Sequence, residues 1–354
     1  MATHLPRPPI EPFADQGEVP LVSILIPAYN AGRYIEETLR SAAAQTWPRV
    51  EIIVVDDGST DDTLAVARRV APGRVQVYTQ RNQGAAAARN FAFSQSTGDY
   101  VQWLDADDLL APDKISRQLA ARARSCTPRT LLSSAWAHFL HRPEAARFVP
   151  SPLWSDLEPV EWMMRKMKHG VHMQPATWLT SRALCLAAGP WDSRLLVDDD
   201  GEYFCRVISA SDRITFAGDA KTYYRITGSG SLSHIGDSSA KLDAQLLSCR
   251  RHVDALLALE RSERTRAACL TYLQKYMATF FGRRPDLVEG LQKIAASMGG
   301  TLQRPRLSWK YDWIDRLFGW SAATMCSRKY NSAKWQVARA LDRGLAALSR
   351  VDSA

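Results

Sequence analysis

Two apolar rhythms alternate along residues 21–104. Leu21 to Ala28 (LVSILIPA) is a continuous apolar run, the pattern of a strand buried on both faces, and it ends in Tyr29-Asn30 and Gly32. Arg33 to Gln45 changes to helical spacing, with Ile35, Leu39, Ala42 and Ala43 on one face, and Trp47-Pro48 stops it. Glu51 to Val55 (EIIVV) predicts a second buried strand, ending in Asp56-Asp57-Gly58-Ser59. Thr60 or Asp61 then caps a helix through Val70. Arg74 to Thr79 predicts a third strand, Gln83 to Ser96 a third helix, and Tyr100 to Leu104 a fourth strand. Strand and helix joined by short connections predict an α/β fold, a mostly parallel sheet flanked by helices.

Polar residues gather where these strands end: Tyr29-Asn30, Asp56-Asp57, and Asp105 to Asp108. In an open α/β sheet such ends meet at one edge, where ligands bind. Asp105, Asp107 and Asp108 put three carboxylates into four residues, and they repel one another. A divalent cation holding a phosphorylated ligand would relieve that repulsion. An acidic turn opening the helix near Pro112, with Asp108 at its start, would explain the same residues. No G-x-G-x-x-G comes after the first strand and no G-x-x-x-x-G-K-S/T occurs, which argues against a dinucleotide-binding domain and a P-loop.

The remaining 250 or so residues change the picture in three ways. Apolar content of 46% supports a large core, and no apolar run reaches the roughly 18 residues of a membrane span. Residues 1–19, with four prolines before Phe13, read as a disordered leader, and the six scattered cysteines as reduced thiols in a cytoplasmic protein. The net charge of +8 is concentrated in the tail, where ten Lys/Arg stand against four Asp from Thr301 onward. Nothing beyond that charge suggests nucleic acid.

With these motifs in order the sequence resembles the family 2 glycosyltransferases, nucleotide-sugar-dependent enzymes of the GT-A fold. The matching pieces are IPAYN (Ile26 to Asn30), QTWP (Gln45 to Pro48), VVDDGSTDDT (Val54 to Thr63), NQGAAAARN (Asn82 to Asn90), GDYVQWLDADD (Gly98 to Asp108) and GPWDSRLLVDDDGEYFCR (Gly189 to Arg206). The resemblance implies a nucleotide-binding half over 20–110, an acceptor-binding half over 111–235 with mixed α/β structure, and a basic helical C-terminal region over 236–354. It implies that Pro27, Ala28, Tyr29, Asn30 and Asp57 hold the base and ribose of a nucleoside diphosphate sugar, often a UDP-sugar. Gly84 and Arg89 would lie beneath nucleotide and sugar, Asp105 would meet ribose or sugar, and Asp107, with Asp105, would bind Mg²⁺ or Mn²⁺, with Asp108 as a candidate additional ligand.

The other half of the reaction needs a base. The resemblance makes Asp200 the residue that deprotonates the acceptor hydroxyl, with inversion at the anomeric carbon. Asp199, Gly201 and Glu202 depart from the family's Glu-Asp-x-Asp, which leaves the register open by one. An acidic first turn complementing a helix dipole would explain the same cluster. Arg225 would pair with phosphate and His234 would complete the metal shell, although a Gly/Ser-rich linker (TGSGSLSH) accounts for that composition equally. His138, His169 and His172 carry no assigned role. No Gln-x-x-Arg-Trp is present, so transfer of one sugar per event to a carbohydrate or lipid-linked acceptor is expected. The alternative is a non-catalytic nucleotide-sugar-binding protein on the same fold.

Leu131 to Phe139 and Met173 to Leu179 read as strands flanking the acceptor side, and the pattern from Ala240 onward is helical. Trp309, Trp313, Leu317 and Trp320, with Lys310 and Arg316, form an aromatic-basic stretch. It reads either as peripheral contact with an anionic membrane or, favoured because Asp312 and Asp315 interrupt the basic face, as a helix packing its aromatics inward.

Overall fold

β1 (Val22–Ala28) is buried at every residue, and the first sheet is assembled around it. In the computed structural model, which describes residues 19–70, 73–123, 127, 129–227, 235–236 and 238–351, β1 pairs in parallel with β2 (Val50–Asp56) on one side. On the other side it pairs in parallel with β4 (Tyr100–Trp103). β3 (Val75–Thr79) extends the sheet beyond β2, and the two-residue β7 (Thr180–Ser181) closes it antiparallel to β4. Alternation along β1 explains the unbroken apolar run. Val22, Ile24 and Ile26 pack with Ile35 and Leu39 of α1 (Ile35–Ala43) and with Val66 of α2 (Thr63–Arg69). Leu25 faces the other way, into a core shared with Trp103 and with Ala88 and Ala92 of α3 (Ala85–Gln95).

The lower end of the sheet is fixed by a close approach. Ser23 donates its hydroxyl to Glu51 Oε1 at 2.5 Å and accepts from the Gly98 N–H at 2.9 Å. A Cβ on Gly98 would stand 2.7 Å from the Ser23 nitrogen and 3.0 Å from the Leu21 oxygen, so only glycine brings β4 into register here.

A second sheet packs beside it, in the order β5 (Leu109–Leu110), β8 (Arg213–Arg225), β6 (Thr130–Phe139). β6 and β8 run parallel with an irregularity between Ser134 and Ala135, and α4 (Lys114–Arg122) packs against both. α5 (Pro159–His169), α6 (Arg182–Ala188) and α7 (Asp199–Ala210) complete this half. The expected strand at Met173 to Leu179 does not form. Pro175 lacks an N–H, the Gln174 side chain accepts from Ala176 N at 2.8 Å, and Pro175–Thr177 closes a 3₁₀ turn instead. Only Leu179 bridges to Leu132.

The C-terminal residues are helical, as α8 (Ser239–Leu259), α9 (Glu263–Phe280), α10 (Pro285–Ala296) and α11 (Trp309–Val351), the last interrupted at Gly319. The apolar faces of α8, α9 and α10 join the core that holds Trp103, Trp178 and Phe204, which runs without a break to Leu302. Inward packing of the tail aromatics holds for Trp320 alone, 7% exposed, with its ring 5.2 Å from Phe281. Trp309 (81% exposed), Trp313 (55%) and Leu317 (70%) face outward, which corrects the favoured expectation. No helix among the described residues is long and apolar enough to cross a membrane.

Gly98→Ala is expected to lower stability by about 1–3 kcal/mol in urea unfolding, because the added methyl must displace backbone. An unchanged midpoint would contradict the close packing of β4 on β1.

Candidate active site at the sheet edge

Each strand end contributes a turn that is tied to its neighbour. β1 delivers Asn30 in the left-handed region (φ 48), where its Oδ1 accepts from Thr60 N at 2.8 Å and its own N–H donates to Ser59 Oγ at 2.9 Å. Tyr29 beside it is exposed, while Pro27 and Ala28 are buried in the strand. β2 delivers Asp57, whose buried carboxylate accepts from Gln83 N (2.9 Å), Gly84 N (2.8 Å) and Gln80 Nε2 (2.7 Å). Asp57 thus shapes the loop that opens α3 and, through Gly84, its first turn. These residues form one polar shelf along the edge.

β4 delivers the acidic turn, and α3 sends Arg89 to meet it. Arg89 is buried and donates to Asp105 Oδ1 and to Asp199 Oδ2, both at 2.7 Å. Its guanidinium lies 4.4 Å from the Trp191 ring centre, and Trp191 stacks on Tyr203 at 4.1 Å. One cation therefore joins the end of β4 to the first turn of α7, where Asp199 lies 110 residues along the sequence from Arg89. Burial opposes the charge on Arg89, but Asp105 and Asp199 outweigh it and raise its pKa.

A single guanidinium leaves negative charge uncompensated. Burial, then Asp105, push the Asp107 carboxyl up to about 6. Asp108 is fully buried and raised well above the ordinary carboxylate range by burial and by Asp107 and Asp105. Its Oδ1 accepts from Arg225 N at 2.9 Å, and its Oδ2 has no partner among the described residues. Burial, then Asp199 and Asp198, push Asp200 up to about 7. Tyr224 registers the convergence: after burial, its raised pKa comes from Asp108, Asp105, Asp107 and Asp200 together. The acidic turn and Asp200 therefore act electrostatically on the same tyrosine.

This donor set suits a hard divalent cation. Asp107 and its neighbours supply oxygen ligands and an excess of negative charge. Among the described residues no three His, Cys, Asp or Glu converge as a preformed cage, so the remaining ligands would come from a bound diphosphate. His234, expected to complete the shell, lies outside the described residues. Arg225, expected to meet phosphate, is buried and already engaged: Nε donates to the Asp107 carbonyl at 2.7 Å and NH2 to Glu37 Oε2 at 2.6 Å. It holds the acidic turn in shape.

Several residues around the site carried no readable signal in the sequence. Asp198 precedes α7 in the left-handed region (φ 54), and a Cβ at Gly201 would strike its carboxylate, with the Asp198 Cγ at 2.8 Å. Glycine at 201, a departure from the family pattern, is what lets Asp198 fold over the helix start. Ser248 of α8 donates to Asp198 Oδ2. Lys166 of α5 donates to His252 Nε2 at 2.8 Å, which leaves Nδ1 to donate to the Ser248 carbonyl at 2.9 Å. Burial and Lys166 push His252 down to about 4, so the imidazole is neutral. On the opposite wall Trp136 packs against His138 (4.8 Å), His172 (5.3 Å) and Tyr224 (5.9 Å), an aromatic platform beside the carboxylates.

Known proteins share part of this sequence and its architecture. The family model described as "Glycosyl transferase family 2" matches residues 23–126. A putative teichuronic acid biosynthesis glycosyltransferase of Bacillus subtilis, TuaG, is 39% identical over 140 residues, 36% of this chain and 56% of that protein. The chain covers 42% and 31% of two other curated relatives, so it spans about half or less of several of the proteins it matches. Among solved structures, S. aureus TarS in complex with UDP-GlcNAc superposes with a TM-score of 0.60 at 20% identity, covering 86% of this chain and 81% of that one. A mannosyltransferase of Pyrobaculum calidifontis in complex with GDP-Man and Mn²⁺ gives 0.51 at 18% identity, covering 97% and 90%. The architecture is the GT-A fold, and the strand, helix and acidic-turn unit of residues 23–126 matches glycosyltransferase family 2.

Proposed function

We propose that this protein transfers one sugar per event from a nucleoside diphosphate sugar to a hydroxyl of a carbohydrate or lipid-linked acceptor, with inversion. The observation that carries the reading is Arg89 bridging Asp105 and Asp199, which draws two acidic clusters to one sheet edge. Support for the donor class comes from the UDP-GlcNAc and GDP-Man complexes of the proteins it superposes on. In this reading residues 20–110 hold the donor, 111–235 the acceptor, and the helices from 236 onward brace the acceptor side.

The donor's base and ribose lie along the shelf from Pro27 to Asn30 and beside Asp57, and Gly84 and Arg89 lie beneath the diphosphate and sugar. Asp107, flanked by Asp105, is the carboxylate that would hold Mg²⁺ or Mn²⁺, which when bound neutralises charge on the departing diphosphate. Asp200 accepts the proton of the acceptor hydroxyl as its oxygen bonds to the anomeric carbon from the face opposite the diphosphate. The bond from that carbon to the diphosphate oxygen breaks in the same step, giving inversion. Trp136 and Tyr224 offer the faces on which an acceptor sugar ring would rest.

Asp200→Asn is expected to lower turnover by about 10²–10⁴-fold, read as nucleoside diphosphate released from a panel of nucleotide sugars with acceptor and Mn²⁺. Turnover within a few fold of wild type would reject Asp200 as the base. A base raised to about 7 is protonated and idle below that pH. kcat/KM should therefore fall about tenfold per pH unit on the acid side of neutrality. A profile flat down to the ordinary carboxylate range would contradict the assignment.

Ser248→Ala removes the donor to Asp198 while leaving Asp200 in place. About a tenfold loss in kcat with donor KM unchanged is expected, restored in part by Ser248→Thr. Equal kcat for all three proteins would reduce the Lys166, His252 and Ser248 chain to packing.

A further inference from the structure

The first two turns of α11 stand out because one face is pinned and the other is bare. On the inner side Asp315 accepts from Arg304 at 2.8 Å. Trp320 lies against Phe281 and over Gly282, where a Cβ would come within 2.8 Å of its ring, and Ala323 is fully buried. The segment before the break at Gly319 is thus tied through Asp315, and the segment after it through Trp320 and Ala323. At about 100° per residue, Trp309, Trp313 and Leu317 form a stripe roughly a quarter-turn wide on the outer side. Phe318, 68% exposed, falls about 100° beyond Leu317, off this stripe, just before the helix breaks at Gly319.

The flanks of the stripe are cationic. Lys310 borders it on one side and Arg316 on the other, both exposed. Arg306 precedes the helix, and Lys329 and Lys334 are exposed further along it. Asp312 and Asp315, which interrupted the basic face in the sequence, are each taken up by an arginine, Arg316 and Arg304. Indole rings at the centre with long cationic side chains on both borders match a headgroup boundary: the rings sit at the depth where tryptophan is enriched, and the cations reach outward to phosphates. Three or four side chains are too small an area for a stable protein interface of about 800 Å² per partner.

We infer that the outer face formed by Trp309, Trp313 and Leu317 docks this protein on a lipid surface bearing anionic headgroups. Docking would bring the enzyme to a membrane in which a lipid-linked acceptor would stand. That consequence rests on the transferase reading, and the docking itself does not.

The test is flotation of the full-length protein with vesicles of phosphatidylcholine alone or with about one-third phosphatidylglycerol. Binding to the anionic vesicles is expected to exceed binding to the neutral ones and to weaken in high salt. Trp309→Ser combined with Trp313→Ser and Leu317→Ser should reduce it by at least about tenfold. Lys310→Glu with Lys329→Glu should abolish the preference for anionic lipid. All five positions are exposed, so an unchanged circular dichroism spectrum is expected. Equal binding of the wild type and the triple variant would overturn the inference, as would a concentration-dependent dimer lost in the triple variant without vesicle binding. Turnover on a water-soluble acceptor should be unaffected by the triple variant, so failed docking with intact turnover is distinguishable from failure of the transferase reading.

Discussion

A buried guanidinium between two carboxylates is the constraint on which the site depends. Arg89 leaves α3 on the nucleotide side and holds Asp105 at the end of β4 and Asp199 at the start of α7. Removing one member of such a group leaves charge buried without a partner, a loss of about 3–5 kcal/mol. The energetic case for retaining it is specificity of arrangement, because an apolar substitute would pack equally well yet tie nothing to a particular place. Trp191 and Tyr203 complete the clamp by fixing the plane in which the guanidinium lies.

The carboxylates that the clamp leaves over are as informative as those it binds. Arg89 answers Asp105 and Asp199, and Arg225 braces the acidic turn through a carbonyl and a backbone N–H. Asp107 and Asp200 remain, both held above the ordinary carboxylate range by burial and like charge. In the proposed reaction one would take a cation and the other a proton. The division reflects position: Asp107 lies within the strand-end turn, whereas Asp200 sits in the first turn of α7. That turn is held by Asp198, bonded to Ser248 of α8, so the C-terminal helices reach the site through a buried polar chain.

The sheet and its acidic edge were legible because strands covered on both faces must be apolar throughout, and the turns at their ends must be polar. β1, β2 and β4 read that way, and Asn30, Asp57 and Asp105 fell at their ends. The segment around Pro175 misled because apolar residues in a buried turn match those in a short strand, and only the missing N–H tells them apart. Lys166, Ser248 and His252 were invisible: each is a polar residue on a helix with an apolar neighbourhood, and their meeting is a tertiary fact. The tail was ambiguous for a different reason. A stripe of Trp309, Trp313 and Leu317 has the same period whether it faces a core or a headgroup layer, so exposure had to decide.

The most direct measurement is the rate of nucleoside diphosphate release by Arg89→Lys beside the wild type, with donor affinity taken by calorimetry. A lysine keeps the charge but cannot present two arms of one fork to Asp105 and Asp199 at once. The bridging account expects transfer to fall by about a hundredfold or more while donor affinity changes by less than about tenfold. Transfer within about twofold of wild type would show that charge alone suffices, and that the bridge does not organise the site.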